Sequence, residues 1–377
     1  MSSLYIHIPF CTRKCPYCDF FSLVGNQSQI DEYLGLLLLN IQSVRNIYPD
    51  SSSFDSIYFG GGTPSLLSSE QIAQILTSID HVFGINADCE ITLEANPGTL
   101  ERQQLKGYRQ AGVNRLSIGV QSLDDQNLKI LGRIHNAKEA RKSVSLARQA
   151  GFDNLSLDLM FALPGETLEI LSNELADILD LAPEHVSVYG LTFEEGTDFT
   201  AQLKRGSLIA CDEDLYAAQY HLLHDQLADA GFEHYEISNF ARPGLQCRHN
   251  QTYWQRNTCL AVGAGAHSFI NQNWGERWHI PTDLKAYKNS LISNNNPAIL
   301  LETFDLQGAM KEFVYLALRT RKGLDLNSFE QRFKQKPEQV FYQAINKVRP
   351  YLKADSRRWF FDPDGWLLYD HLISHFL

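Results

Sequence analysis

The 377-residue chain exceeds the usual length of one domain, so a large unit with a smaller appendage is expected. Its 44% hydrophobic and 11% aromatic content exclude a disordered chain, and a net charge of −11 excludes a global basic field for nucleic acid or anionic membrane. The opening MSSLYIHIPFCTRKC lacks the apolar core of a signal peptide, and the greasiest stretch, YLGLLLLNI, is about half the length of a membrane span, so a cytoplasmic protein with at most peripheral membrane contact is expected.

Strand-like segments at 4–8, 56–60, 90–95, 115–120, 155–161 and 185–191 alternate with helix-like stretches at 29–48, 68–83, 99–111, 124–131 with 137–150, and 166–181. Two "AG" sequences, at 111–112 and 150–151, look like helix C-caps that feed the next strand. Repeated strand–helix alternation predicts an α/β fold with a parallel sheet, and the count suits a partial (β/α)6 barrel over residues 1–230. A long helix is expected at 212–230, followed by a loop-rich connecting segment, 231–297, that carries CRHNQTYW. Beyond SNNNP, residues 298–377 read as helices at 305–318, 326–333 and 337–347, a hairpin RWFF-DPDG-WLLY and a short last helix, in the order of a winged-helix-like α+β domain.

Seven cysteines are an odd number and too sparse for a disulfide scaffold, yet Cys11, Cys15 and Cys18 cluster as C-x3-C-x2-C in FCTRKCPYCDFFS. Three thiolates on one loop reach three corners of a [4Fe–4S] cubane and leave one iron open to chelation by the amino-carboxylate of S-adenosylmethionine (SAM). Structural zinc wants four ligands, and ordinary ferredoxin clusters want a fourth cysteine. The loop follows the first strand, which puts it at the C-terminal mouth of a barrel, where barrel chemistry occurs.

These residues, with YIHIPFC, FGGGTPS, LEANP, SIGVQS, LGRIH, DLMFALPGET, HNQTYW and ALRTRKGLDL, resemble radical SAM proteins of the oxygen-independent coproporphyrinogen-III-oxidase-like group, and within it the haem-chaperone branch. The likeness spans essentially the whole chain. It implies that Gly61, Gly62 and Thr63 contact the methionyl end of SAM, that Gln121 and Asp158 reach its ribose, and that Arg133 pairs with its carboxylate. Tyr5 and Tyr17 would also contact SAM, Tyr17 near the adenine. Glu94, at the end of the third strand, suits the SAM ammonium or ribose hydroxyls, although Asn96 and Thr99 are better placed to cap the following helix. Asp158 lies inside the apolar run LSLDLMF, where an unpaired charge is costly and demands a partner.

For CRHNQTYW, the residues alone favour an ordinary loop histidine, either at the surface or hydrogen-bonded. The resemblance instead makes His249 or Cys247 a haem-iron ligand, with Tyr253 and Trp254 packing on the porphyrin. The chain departs from the oxidase pattern at Phe20, where the oxidases carry one more cysteine, and in having ten residues before Cys11. The resemblance thus implies a chaperone that binds haem as cargo and passes it to recipient haemoproteins such as respiratory cytochromes, as a monomer or dimer served by a low-potential electron donor. The alternative is a coproporphyrinogen III oxidase of porphyrin biosynthesis. The basic run Arg319, Arg321, Lys322, Arg332, Lys334 and Lys336 reads as a solvated face, so no nucleic-acid partner is expected.

Overall fold

The computed structural model describes residues 2–47 and 53–377. Six strands, β1 (Ser3–Ile8), β2 (Phe54–Gly61), β3 (Ile85–Ala95), β4 (Arg115–Gln121), β5 (Leu155–Phe161) and β6 (His185–Gly190), lie side by side in chain order and pair in parallel. Helices join them: α1 (Gln27–Ile47), α2 (Ser69–Phe83), α3 (Arg102–Ala111), α4 (Asp125–Ile130) with α5 (Ala137–Gln149), and α6 (Leu168–Asp180). The expected helix at 29–48 begins two residues earlier, and Tyr48 lies outside the described residues.

Local chemistry explains the helix boundaries. Ser68 with Gln71 and Asn136 with Glu139 form reciprocal capping boxes at the starts of α2 and α5, each worth about 1 kcal/mol. After α3 and α5 the chain turns at Gly112 (φ 116°) and Gly151 (φ 88°), left-handed conformations that a Cβ would strain. No helix among the described residues is long and apolar enough to cross a membrane.

Alternation along the strands sorts side chains onto two faces. Leu116, Ile118 and Val120 of β4, and Leu155, Leu157 and Leu159 of β5, are fully buried beneath the helices. Arg115, Ser117, Gly119 and Gln121, then Asp158 and Met160, then His185, Ser187 and Tyr189 face a chamber on the other side. The sheet thus buries both faces but makes only one of them apolar.

The segment 231–297, expected as a connection, is built into the sheet. It adds β7 (Glu233–Glu236) and β8 (Asn239–Ala241) beyond β6, and β9 (Cys259–Val262), β10 (His267–Ile270) and β11 (Glu276–His279) beyond β1, before β12 (Ile299–Thr303) ends a twelve-stranded order. These additions pair the backbone that β1 and β6 would otherwise leave as open edges. Long helix α7 (Glu213–Asp229) precedes β7, and the short helix α8 (Arg248–Trp254) carries HNQTYW.

The C-terminal part opens with α9 (Leu306–Leu318) and contains a three-stranded sheet of Leu324–Asp325, Arg358–Phe360 and Lys353–Ala354. The hairpin therefore lies one segment earlier than expected, with RWF paired to the preceding KA. WLLY does not form a strand: Asp362 accepts from Gly365 N and Pro363 occupies the first helical position, so Pro363–Leu367 is a helix.

Candidate functional site

A chamber of about 720 Å³ opens at the C-terminal ends of β1–β6. Cys11, Cys15 and Cys18 line it together with Tyr17, Gly61, Gly62, Thr63, Glu94, Gln121, Arg133 and Asp158, so most of the expected site residues meet in one cavity. All three thiols are free and partly exposed. Among the described residues no group of three or more His, Cys, Asp or Glu converges on a single metal ion; the thiols flank the chamber instead.

Two donors reach the cluster loop. The Thr63 hydroxyl donates to Cys11 Sγ at 3.4 Å, and Arg133 Nη1 lies 3.5 Å from Cys15 Sγ and 3.4 Å from the Tyr17 hydroxyl. Asn96 links them, donating through Nδ2 to Thr63 Oγ1 at 2.9 Å and accepting from Arg133 Nη2 at 2.5 Å. Arg133 also donates to Gly119 O at 2.9 Å. Asn96, expected only as a helix cap, is thus the joint of a network whose donors reach two of the three thiols.

The glycine loop fits against the same loop. A Cβ on Gly61 would meet the His7 ring at 2.5 Å, and one on Gly62 would meet Phe10 O at 2.6 Å. The loop's N–H groups already have acceptors: Gly61 N donates to Glu94 Oε2 at 3.2 Å, Gly62 N to Ile8 O at 2.8 Å and Thr63 N to Phe10 O at 2.7 Å. At the end of β4, Gln121 holds φ 64°, a left-handed strain for a side-chain-bearing residue facing the chamber.

Electrostatics separate the walls from the floor. Burial, then the charge of Asp158, pushes the Glu94 carboxyl up to about 7, against hydrogen bonds from the Tyr58 hydroxyl (2.9 Å) and Gly61 N. Burial likewise lifts Asp158 to about 6, opposed by hydrogen bonds from the serines at 187, 117 and 156. Arg115, 1% exposed, is the chamber's deep cation, and its Nε has no partner. Arg115, Ser117, His185 and Ser187 were not expected here. Their signal was the period-two alternation R-L-S-I-G-V-Q and H-V-S-V, in which apolar residues alternate with polar ones or glycine.

Tyr5 and the haem candidates are placed apart from the rest of this set. Tyr5 does not line the chamber; its ring stacks against Tyr58 and its hydroxyl bonds to His7 Nδ1 at 3.1 Å. The haem candidates His249, Cys247, Tyr253 and Trp254 do not converge on one cavity, because α8 plugs the N-terminal end of the barrel. Glu90, midway along β3, accepts from the backbone N–H groups of Arg248 (2.9 Å) and His249 (3.2 Å). His249, 1% exposed, bonds to Ser56 Oγ through Nδ1 (3.2 Å) and to the Tyr253 hydroxyl through Nε2 (2.9 Å), so both ring nitrogens are engaged. Burial pushes its pKa down to about 3 and keeps it neutral. Cys247 reaches the chamber floor, where burial lifts its thiol to about 12 and it donates to Glu90. Trp254 faces a different cavity.

Residues 5–182 match the Radical SAM superfamily and residues 304–368 the HemN C-terminal domain. The chain is 34% identical to the heme chaperone HemW of Lactococcus lactis over 100% of this chain and 97% of that protein. The chain belongs to the HemW family. The HemW of Haemophilus influenzae is 43% identical over 73% of this chain and 72% of its own. The solved coproporphyrinogen III oxidase HemN of Escherichia coli, a radical SAM enzyme, superposes with a TM-score of 0.85 over 100% of this chain and 89% of that one, at 24% identity, a likeness of fold. As a radical SAM protein, this HemW-family member implies a [4Fe–4S] cluster and SAM, and the donor set fits: three free thiols with N–H and O–H donors directed at two of them.

Proposed function

We propose that this chain is a haem chaperone that binds haem as cargo and delivers it to recipient haemoproteins such as respiratory cytochromes. The observation that carries the reading is its end-to-end relationship to a protein named as a heme chaperone. Phe20, 65% exposed beside the cluster loop, supports it, since the oxidases keep a further cysteine at that point.

In this reading Cys11, Cys15 and Cys18 hold the [4Fe–4S] cluster, which when reduced supplies an electron for SAM cleavage. Tyr17, Gly61, Gly62, Thr63, Glu94, Gln121, Arg133 and Asp158 bind SAM. Because the loop N–H groups are already bonded, the carbonyls of the glycine loop and the Glu94 carboxylate are the acceptors for the SAM ammonium. Arg133, whose four contacts tie the cluster loop to Asn96 and Gly119, positions that loop as well as facing the SAM carboxylate. A low-potential donor in the cytoplasm supplies the electron, and no nucleic acid is involved.

The test pairs two assays on anaerobically reconstituted protein. Haem titration should give a Soret band, and coproporphyrinogen III should not be decarboxylated. Conversion to protoporphyrinogen IX without haem binding would restore the oxidase alternative.

A further inference from the structure

A second cavity, of about 970 Å³, lies between α8 and the C-terminal domain. Its volume is at the upper end for ligand cavities, which run from about 300 to 1,000 Å³. Trp254, Phe313 and Ala317 form its apolar wall, and Arg321, Lys322 and Arg357 stand exposed at its rim. The barrel chamber, by contrast, is lined by Glu94, Asp158 and Arg115 and has the polarity of a SAM and cluster site.

The rim carries four cations, Arg321, Lys322, Arg357 and Arg358, against three carboxylates, Asp325, Asp355 and Glu233. Its three carboxylates are engaged: Asp325 caps Ser328 N at 2.6 Å, Asp355 pairs with Arg358 at 3.0 Å, and Glu233 accepts from Gln246 at 2.6 Å. No hydrogen bond or ion pair holds the side chains of Arg321, Lys322 or Arg357 among the described residues. The Trp254 indole N–H is itself buried and has no acceptor among the described residues. A flat apolar ligand with anionic groups at one edge matches this arrangement.

We propose that the haem cargo occupies this crevice, with its ring against Trp254 and Phe313 and its propionates toward Arg321, Lys322 and Arg357. The inference rests on the chaperone reading and adds the site. It also moves the cargo off His249, which does not line the crevice and has both ring nitrogens bonded. Among the described residues no histidine, cysteine or methionine lines the crevice, and the hydroxyl of its Tyr235 is already bonded to His185, so the protein holds the porphyrin by its faces and carboxylates and leaves the iron without a histidine or thiolate ligand. A cargo held in this way can leave without breaking an iron–histidine or iron–thiolate bond.

The crevice and the chamber share a thin wall. Tyr235 lines the crevice and His185 the chamber, and they are bonded at 2.9 Å. Arg319 lines the chamber and sits 4.6 Å over the Trp254 ring, while its Nε pairs with buried Glu236 at 2.9 Å. Haem in the crevice is therefore adjacent to the SAM chamber yet outside it.

The experiment titrates ferric haem into the full-length, cluster-loaded chain and its variants, reading the Soret band and the dissociation constant. Arg321→Glu with Lys322→Glu, and separately Ala317→Trp, should each weaken haem binding tenfold or more, with iron content and SAM affinity unchanged. The charge reversals alter exposed side chains, so the test survives if Ala317→Trp does not fold. His249→Asn should keep the wild-type Soret maximum, and imidazole added to wild type should shift that maximum by ligating the open iron. If wild type binds haem and the crevice variants match its affinity, or if His249→Asn loses the band while keeping cluster and SAM, the crevice is overturned and the chaperone reading stands. If wild type binds no haem, both fall.

Discussion

Arg133 Nη1 lies 3.5 Å from the Sγ of Cys15 while its Nη2 binds Asn96 at 2.5 Å, so one guanidinium ties a cluster thiol to the end of β3. A cation beside a thiolate favours the reduced, more negative cluster. Arg133→Gln should therefore assemble a cluster of normal iron content but lower its reduction potential, as measured by potentiometric EPR titration. SAM affinity should fall by about 1.5–3 kcal/mol, roughly ten- to hundredfold, as for loss of one charge-assisted hydrogen bond. An unchanged potential together with unchanged SAM affinity removes Arg133 from the site.

The cysteines divide by environment. Replacing Cys11, Cys15 or Cys18 by alanine should abolish the brown colour and the iron and sulfide content of anaerobically purified protein. Cys89→Ala should retain both, since Cys89 is buried away from the chamber and its thiol is pushed up to about 12 by burial. Stoichiometric zinc without sulfide in the wild type contradicts this assignment.

Glu94 and Asp158 should make the cluster-free chain sensitive to pH. Both carboxyls are raised, to about 7 and about 6, mainly by burial. A raised carboxyl contributes stability that is fully present below its unfolded pKa, about 4, and is lost as pH rises through the folded value. The melting temperature should therefore fall between about pH 4 and about pH 7, and Glu94→Gln should flatten the fall. A Glu94→Gln chain as pH-sensitive as wild type excludes Glu94 as the source.

His249 should behave as a barrel-floor residue. His249→Ala removes a buried ring stacked on Tyr58 at 5.0 Å and breaks its hydrogen bonds to Ser56 and Tyr253, so unfolding free energy should drop by about 2–4 kcal/mol. Denaturant titration measures this. A surface-like change of under about 0.5 kcal/mol would contradict the buried placement.

The six strand–helix units, the cysteine loop at the barrel mouth and the two capping glycines were legible in the sequence because each depends on neighbours within a few residues: periodicity, caps and spacing. The same holds for C-x3-C-x2-C, which selects a cluster by distance along one loop. Tertiary structure decided the rest. Residues 233–279 carry too few residues per strand to declare a sheet by pattern, and only the open edges of β1 and β6 recruit them. The hairpin at 353–360 was misplaced because Trp366 and Leu367 are apolar in a helix as readily as in a strand, and the Asp362 cap chose the helix. Arg115, His185 and Asn96 became site residues only when strands more than twenty residues apart aligned their polar faces around one chamber. For CRHNQTYW the string alone suggested an ordinary loop histidine and only the family resemblance suggested haem ligands, but burial against Ser56, Tyr58 and Glu90 comes from sequence more than 150 residues away. Burial of that kind follows from which surfaces the folded barrel leaves uncovered, and no local pattern encodes it.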